Sequence, residues 1–139
     1  MNGPGFEISV DRRNDMVTVA YVGLLSLDVA KRALDAAVGH PDVGPSTLVL
    51  LDTTQAIVHE IDVDWLRHYQ AYRESRGYPS QLTALVVSGD EGHQMLGHLW
   101  AAMRATTGAQ TPGVFTDTVA AAEWLIEQRT AGSGRTLRA

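Results

Sequence analysis

The sequence has 139 residues, a net charge of −5 and no cysteine. This length is typical of a single domain, and the absence of cysteine excludes disulfides, thiolate nucleophiles and sulfur-ligated metals. The acidic balance, with arginines scattered along the chain, disfavours binding to nucleic acid or to an anionic membrane surface.

The first predicted elements are a β-hairpin and a helix. Residues 6–10 alternate apolar and polar side chains, and residues 16–22 are rich in strand-forming residues. The polar segment 11–15 between them indicates a turn. Ser26 is a suitable N-cap for a helix whose apolar residues recur at helical spacing up to Val38.

Three strand–helix pairs follow. The run 47–51 is apolar on both faces, which is typical of an interior strand of a parallel sheet, and it is predicted to end at Asp52. A second helix is predicted at 63–76. The remaining predicted elements are a strand at 82–87, a helix at 91–107, a short strand at 114–115 and a helix at 119–129.

The predicted order of elements is ββαβαβαβα. Apolar strands that alternate with helices imply right-handed crossovers and a largely parallel sheet, while the opening hairpin makes one edge antiparallel. We therefore predict an α/β fold with a mixed, mostly parallel sheet of about five strands and four helices. A single domain is predicted at 6–130, with flexible tails at 1–5 and 131–139.

Short polar clusters follow the apolar strands, and in open parallel sheets ligands bind at this edge. The candidate binding residues there are Asp52, Thr53, Thr54, Ser88 and Asp90. Asp62, Asp90 and Asp117 precede helices, so helix capping is the simpler interpretation of these three. Asp52 lies too far from the next helix to cap it, so the sequence favours a function for Asp52 more than for the three capping acids.

No catalytic or metal-binding motif is apparent. A phospho-receiver site or a Schiff base would need a lysine, and the only lysine, Lys31, lies on the outer face of the first helix. His93 and His98 are five residues apart, so the histidines are interpreted as solvated or capping residues. Ser88, Asp90 and His93 are not expected to converge into a triad. We predict no metal, no cofactor and no catalytic residue.

Two helices carry side chains of interest. On the second helix Trp65, Tyr69 and Tyr72 lie along one face, which indicates either core packing or a surface for a partner or ligand. Gly92 and Gly97 interrupt the third helix and would permit close packing against a neighbour. The residues of the third helix predicted to face inward are Met95, Leu99, Ala102, Met103 and Thr106, with Trp100 and Leu96 to one side.

Three stretches carry a family resemblance: residues 17–19 leading to Ser26, residues 84–88, and residues 114–117 leading into 121–125. In these stretches the chain resembles the STAS-like domains of the SpoIIAA-like group, named for bacterial anti-sigma-factor antagonists. The resemblance implies a mixed-sheet α/β fold with four helices. It also implies a non-enzymatic role, typically docking to a regulatory kinase or another partner protein.

The chain departs from that group at its regulatory motif. In the antagonists a phosphorylatable serine lies in an Asp-Ser-Ser-Gly-type motif, whereas residues 60–64 here are Glu-Ile-Asp-Val-Asp. The resemblance therefore does not extend to a serine phosphorylation switch. Asp62 or Asp64 could act instead as a fixed negative charge, and Thr53 and Thr54 are the nearest hydroxyls. The wider group is also associated with SEC14-like lipid carriers.

The leading hypothesis from the sequence is a non-enzymatic regulatory or scaffolding domain. It would bind another protein, or a second copy of itself, through the strand-end edge and the second helix, with Asp62, Asp64, Trp65 and Tyr69 among the contacts. The alternative is a carrier for a small apolar or lipid-like ligand. That ligand would lie between sheet and helices, near Trp65, Tyr69, Met95 and Trp100.

A third hypothesis is an enzyme that uses Asp52 with Ser88 or Thr53, which would need a deep polar pocket joining them. No window of the sequence is apolar enough to span a membrane, and the N-terminus lacks the basic and apolar stretches of a signal peptide. The expected location is therefore the cytoplasm.

Overall fold

The structure, a computed structural model, describes residues 2–108 and 110–138. Its strands are β1 (Asn2–Gly3), β2 (Phe6–Asp11), β3 (Met16–Leu24), β4 (Leu48–Ile57), β5 (Thr83–Val86) and β6 (Gly113–Phe115). Its helices are α1 (Leu27–Val38), α2 (Val63–Arg76), α3 (Glu91–Ala105) and α4 (Thr118–Arg138). The order of elements is the predicted one, with the two-residue strand β1 added at the start.

The described strands form one sheet in the order β1-β2-β3-β4-β5-β6. The first three strands pair antiparallel, and β3 to β6 pair parallel. Right-handed crossovers that advance in one direction place α1, α2 and α3 on one face, whereas α4 packs on the other face against β4, β5 and β6. The predicted class, α/β with a mixed, mostly parallel sheet and four helices, is confirmed.

Each face of the sheet has its own hydrophobic core, and β4 contributes to both. Leu48 and Leu50 belong to the core beneath α4, together with Leu125. Val49 and Leu51 pack against the core beneath α1 and α2. The two-residue period of a strand requires this alternation. It explains why the start of β4 is apolar at every position.

The strand β4 is longer than the sequence predicts, because it continues through Asp52 to Ile57. Its register with β3 shifts after Asp52, which pairs with Ala20, and pairing resumes at Gln55 with Val22. Between these pairs β4 therefore has one more residue than β3. Such a bulge changes which face the following side chains point to, and bulges are common beside functional sites.

Both ends of the chain differ from the predicted tails. Asn2 and Gly3 form β1, which pairs with the outer edge of β2, so the segment 1–5 contributes a strand. At the other end α4 continues to Arg138 because no proline stops it after Arg129. The first and last residues of the chain, which belong to the predicted tails, lie outside the described residues.

The helices begin and end with the local signals that the sequence contains. Ser26 Oγ accepts a hydrogen bond from the backbone N–H of Val29 at 3.2 Å, which caps α1. The helix α2 ends at Gly77, whose φ of 66° lies in the left-handed region that favours glycine. No described helix is both long and apolar enough to cross a membrane.

Candidate functional site

A cleft lies between the sheet and the helices α2 and α3, and most of its lining is apolar or aromatic. It offers about 70 Å³ to the centres of water-sized molecules, within about 520 Å³ that includes its opening to solvent. The lining includes Tyr21, Leu51 and Thr53 from the strands, Trp65, Leu66 and Tyr69 from α2, and His93, Leu96, Gly97 and Trp100 from α3.

The helix α2 provides the aromatic wall of the cleft. The ring of Trp65 stacks on that of Tyr69, with 5.6 Å between centroids and 19° between planes. Trp65 Nε1 is buried, and no acceptor among the described residues bonds to it. More than nine in ten buried polar groups in proteins have a hydrogen-bond partner, so this indole N–H is unusual.

The helix α3 approaches the sheet closely at Gly97. A Cβ atom at this position would lie 3.1 Å from Val87 Cγ1 and 3.2 Å from Leu85 Cδ2, closer than ordinary van der Waals contact. The prediction that Gly97 permits close packing is therefore confirmed. Gly92, the other glycine of this helix, is exposed and does not approach the sheet, although a Cβ there would lie 3.1 Å from Oδ2 of Asp90.

The inward face of α3 differs from the predicted one. Its buried residues are His93, Gly97, Ala101 and Arg104, at spacings of four, four and three. Met95, predicted to face inward and to contact a ligand, is 73% exposed and does not line the cleft. The prediction was wrong because the helix packs through glycine and alanine, which leaves larger apolar residues on the adjoining face in solvent.

The bulge in β4 contains a buried hydroxyl, which lies on the floor of the cleft. Thr53 Oγ1 donates a hydrogen bond to the carbonyl oxygen of Val86 at 2.7 Å and lies 2.9 Å from Nε2 of His93. Since the hydroxyl hydrogen is used at Val86, Oγ1 acts as the acceptor toward His93. Thr53, a predicted site residue, is therefore part of the cleft.

The ring of His93 is held in one tautomer. The backbone N–H of Ser88 donates to Nδ1 at 3.1 Å, and Ser88 Oγ lies 2.8 Å from the same nitrogen. Nδ1 is therefore unprotonated, and Nε2 carries the hydrogen that points to Thr53. Burial lowers the pKa of His93, and the Asp90 carboxylate opposes this only in part. The interpretation of His93 as solvated or merely capping is wrong.

Ser88 and His93 do meet, although they were not expected to converge. Asp90 takes a different role: its Oδ2 accepts from the backbone N–H of His93 at 3.0 Å and so caps α3. A hydrolytic triad needs a carboxylate that orients the imidazole and a ring nitrogen free to take the serine proton. Here Nδ1 already accepts from the Ser88 amide, so this hydrogen bond has a structural role: it holds the start of α3 to the segment that follows β5.

A second, smaller cavity adjoins the cleft and contains two arginines. It offers about 30 Å³ to the centres of water-sized molecules and is lined in part by Arg73 and Arg104. Arg104 is only 4% exposed, and within the described residues the one hydrogen bond of its side chain is a long one, 3.5 Å from Nη1 to Gln70 Oε1. Burial and the nearby charge of Arg73 both lower the pKa of Arg104.

Asp52 and Thr54 lie away from the cleft. Asp52 Oδ1 accepts from the backbone N–H of Thr54 at 3.0 Å and from its hydroxyl at 2.7 Å. Asp52 follows Leu50 by two residues and so faces α4, whereas Thr53 faces the cleft. The side chains of Asp52 and Thr53 thus lie on opposite faces of the sheet, and Asp52 does not line the cleft.

The remaining predicted acids serve as caps or are exposed. Asp62 Oδ1 accepts from the backbone N–H of Trp65 at 2.8 Å, and both carboxylate oxygens of Asp117 accept from the first turn of α4. Asp64 is 3.8 Å from Arg67, with side chains 80% and 71% exposed. These acids position helices, and Asp62 in particular fixes the turn that carries Trp65.

Sequence reasoning missed the inward positions of His93 and Arg104. It also missed that Arg104 and Arg73 line the same cavity. Within the described residues, no group of three or more histidines and acids is arranged to hold a metal ion. The signal available in the sequence was the run 93, 97, 101 and 104, which keeps to one helical face around Gly97.

No known family model matches the sequence, and no curated protein matches it. Among solved structures, the chain is similar to an uncharacterised protein of the DUF3478 family, with a SpoIIAA-like fold, from Shewanella loihica PV-4. The two are 17% identical, the match covers 90% of this chain and 98% of that chain, and the TM-score is 0.57. At this identity the likeness shows the fold alone. The chain has a SpoIIAA-like fold, as its resemblance predicted.

Proposed function

We propose that this chain is a non-enzymatic domain that binds a small, largely apolar ligand in the cleft. The observation that carries the proposal is Trp65, whose indole N–H is buried beside the cleft and has no acceptor among the residues that the structure describes. A buried donor without a partner costs about 1–3 kcal/mol. A ligand that offers one acceptor to Trp65, and apolar surface to the rest of the lining, would remove that cost on binding.

The polar groups on the floor of the cleft support binding rather than catalysis. Thr53, Ser88 and His93 hydrogen-bond to one another and to the backbone. A general base needs a free lone pair that can reach the substrate proton, and the lone pair of His93 is already used. An apolar pocket with few polar groups is typical of small-molecule sites.

Native mass spectrometry of the purified full chain tests this proposal. We expect a non-covalent adduct that is lost on denaturation, and a weaker adduct in the Trp65→Phe variant, which keeps a ring but removes the indole N–H. Trp124→Phe is the matched control because Trp124 packs with Phe115 in the core beneath α4. An adduct-free wild-type chain that also fails to bind apolar probes would argue against ligand binding.

Docking to another protein is a second candidate, and an exposed apolar patch favours it. Val22, Leu24 and Ile57 are 54%, 43% and 50% exposed. Val22 and Leu24 are two residues apart on β3, and Leu24 is paired with Ile57. Since Tyr21 lines the cleft, Val22 points to the opposite face. A partner chain, or a second copy of this one, could therefore bind without blocking the cleft.

Sedimentation across a range of concentrations, together with cross-linked capture, tests the patch. The double variant Leu24→Ser, Ile57→Ser is expected to lose any association that the wild type shows. Val119→Ser is the control, since Val119 is 61% exposed at the start of α4. Association that survives the double variant would remove this patch as the docking surface.

A further inference from the structure

Arg104 is a buried cation without a counterion. Its side chain reaches the interior from α3, and within the described residues no carboxylate forms an ion pair with either Arg104 or Arg73. Buried charges in proteins are normally paired or hydrogen-bonded, because desolvation of an unpaired charge is costly. The single long contact with the neutral Gln70 does not compensate it.

The second arginine increases the positive charge at this point. Arg73 Nη2 donates to the carbonyl oxygen of Pro79 at 3.0 Å. This acceptor is neutral. Arg73 and Arg104 line the same small cavity, and their like charges repel each other. An anion in this cavity would attract both guanidinium groups and so offset their repulsion.

The arginine cavity and the apolar cleft share part of their walls. Tyr21, Leu51, Tyr69 and Trp100 line both. The two cavities are therefore adjacent, and a molecule that reached from the aromatic wall at Trp65 to the two arginines would pass between these shared side chains. Such a molecule would have an apolar body and an anionic end.

We infer that the ligand is a carboxylic acid with an apolar body, its carboxylate held by Arg104 and Arg73 and its body in the cleft lined by Trp65 and Trp100. This inference rests on the proposed binding function. A carboxylate matches the planar fork of a guanidinium with two parallel hydrogen bonds. It is also a compact anionic group, which suits the smaller of the two cavities.

Three probes separate the two proposals in a calorimetric titration of the full chain near neutral pH. Octanoate has an apolar chain and a carboxylate, 1-octanol has the chain alone, and acetate has the carboxylate alone. We expect octanoate to bind about ten-fold or more tightly than 1-octanol, and acetate to bind most weakly. Equal affinity for octanoate and 1-octanol would overturn the anionic end but leave the apolar site intact. Absence of binding by both would overturn both proposals.

The variant Arg104→Met tests the residue directly. It keeps the length and burial of the side chain but removes the charge, so the preference for octanoate over 1-octanol should fall to about two-fold or less. Its melting temperature without ligand should be unchanged or higher, since an unpaired buried charge is lost. Arg67→Met is the control because Arg67 is an exposed arginine of α2. A strongly destabilised Arg104→Met variant, or one that keeps the octanoate preference, would contradict the inferred role of Arg104.

Discussion

At the scale of single residues, His93 is a buried group whose protonation the fold opposes. Its two ring nitrogens are both used, one by Ser88 and one by Thr53. Protonation of Nδ1 would replace an acceptor with a donor that faces the Ser88 amide hydrogen. Burial disfavours the charged ring as well, and it holds the pKa of His93 below its usual value.

The depressed pKa of His93 predicts a loss of stability on mild acidification. In the unfolded chain a histidine takes up a proton at about pH 6.5, whereas in the folded chain His93 does so only at lower pH. The contribution is therefore complete above about pH 6.5 and is lost as the pH falls toward the folded pKa. The free energy of unfolding, measured with urea, should fall between about pH 7 and pH 5, and it should fall less in His93→Gln than in the wild type.

The control for this prediction is His98→Gln, since His98 is exposed on the same helix. It should keep the pH dependence of the wild type. If the free energy of unfolding changed equally with pH in His93→Gln and in the wild type, the buried ring would not titrate as the structure implies.

The carboxylate of Asp35 links α1 to α2. It accepts from the hydroxyl of Tyr72 at 2.5 Å and from that of Tyr78, and it lies 3.4 Å from Arg76. Burial raises the pKa of Asp35, but the tyrosine hydrogen bonds and the Arg76 charge outweigh it, so the pKa is lowered overall. The ring of Tyr72 therefore belongs to this link, and only Trp65 and Tyr69 of the aromatic stripe line the cleft.

Asp35→Asn should destabilise the chain by about 1 kcal/mol at neutral pH, because the charge-assisted hydrogen bonds are lost and solvent screens part of the effect. The contribution of a depressed carboxyl pKa is present above about pH 3.9 and is lost as the pH falls through the folded pKa. The difference in the free energy of unfolding between Asp35→Asn and the wild type, measured with urea, should therefore become smaller in acid. Asp28→Asn, which alters an exposed pair with Arg32, should change stability less.

At the scale of elements, the position of α3 depends on Gly97. Gly97→Leu would insert a side chain whose Cβ alone would lie 3.1 Å from Val87 Cγ1 and 3.2 Å from Leu85 Cδ2. We expect a loss of about 1–3 kcal/mol in the free energy of unfolding and weaker binding of apolar probes. Gly89→Leu is the control, since Gly89 is exposed and a Cβ added there would have no heavy atom within 4 Å. Equal stability of the two variants would contradict the close approach of α3.

The elements show which parts of the structure could be predicted from sequence. Strand–helix alternation, caps such as Asp62 and Asp90, and the interior strand at the start of β4 depend on local patterns, and they were predicted. The extension of β4 beyond Asp52 was not, because its polar residues pair with β3 through tertiary contacts. The inward face of α3 was misassigned because a buried arginine is rare, and hydrophobicity favoured Met95 and Leu99.

At the scale of the whole molecule, the sheet separates two surfaces with different properties. One face has the cleft, the arginine cavity and the helices α1 to α3. The opposite face has α4, and it leaves the ends of β3 and β4 with exposed apolar residues. The sequence indicated that Asp52 and Thr53 follow an apolar strand, but not that their side chains would face opposite sides of the sheet. That division arises from strand alternation, which decides which residues can act together.

The central claim is that the buried indole N–H of Trp65 takes an acceptor from a ligand in the cleft. A proton–nitrogen correlation spectrum of the tryptophan side chains, with Trp65→Phe used for assignment, measures this directly. On titration with octanoate or 1-octanol, the Trp65 signal should move and its hydrogen should exchange more slowly with solvent, while the Trp124 signal stays fixed. A Trp65 signal that neither probe moves at saturation, or an equal movement of Trp124, would contradict the claim.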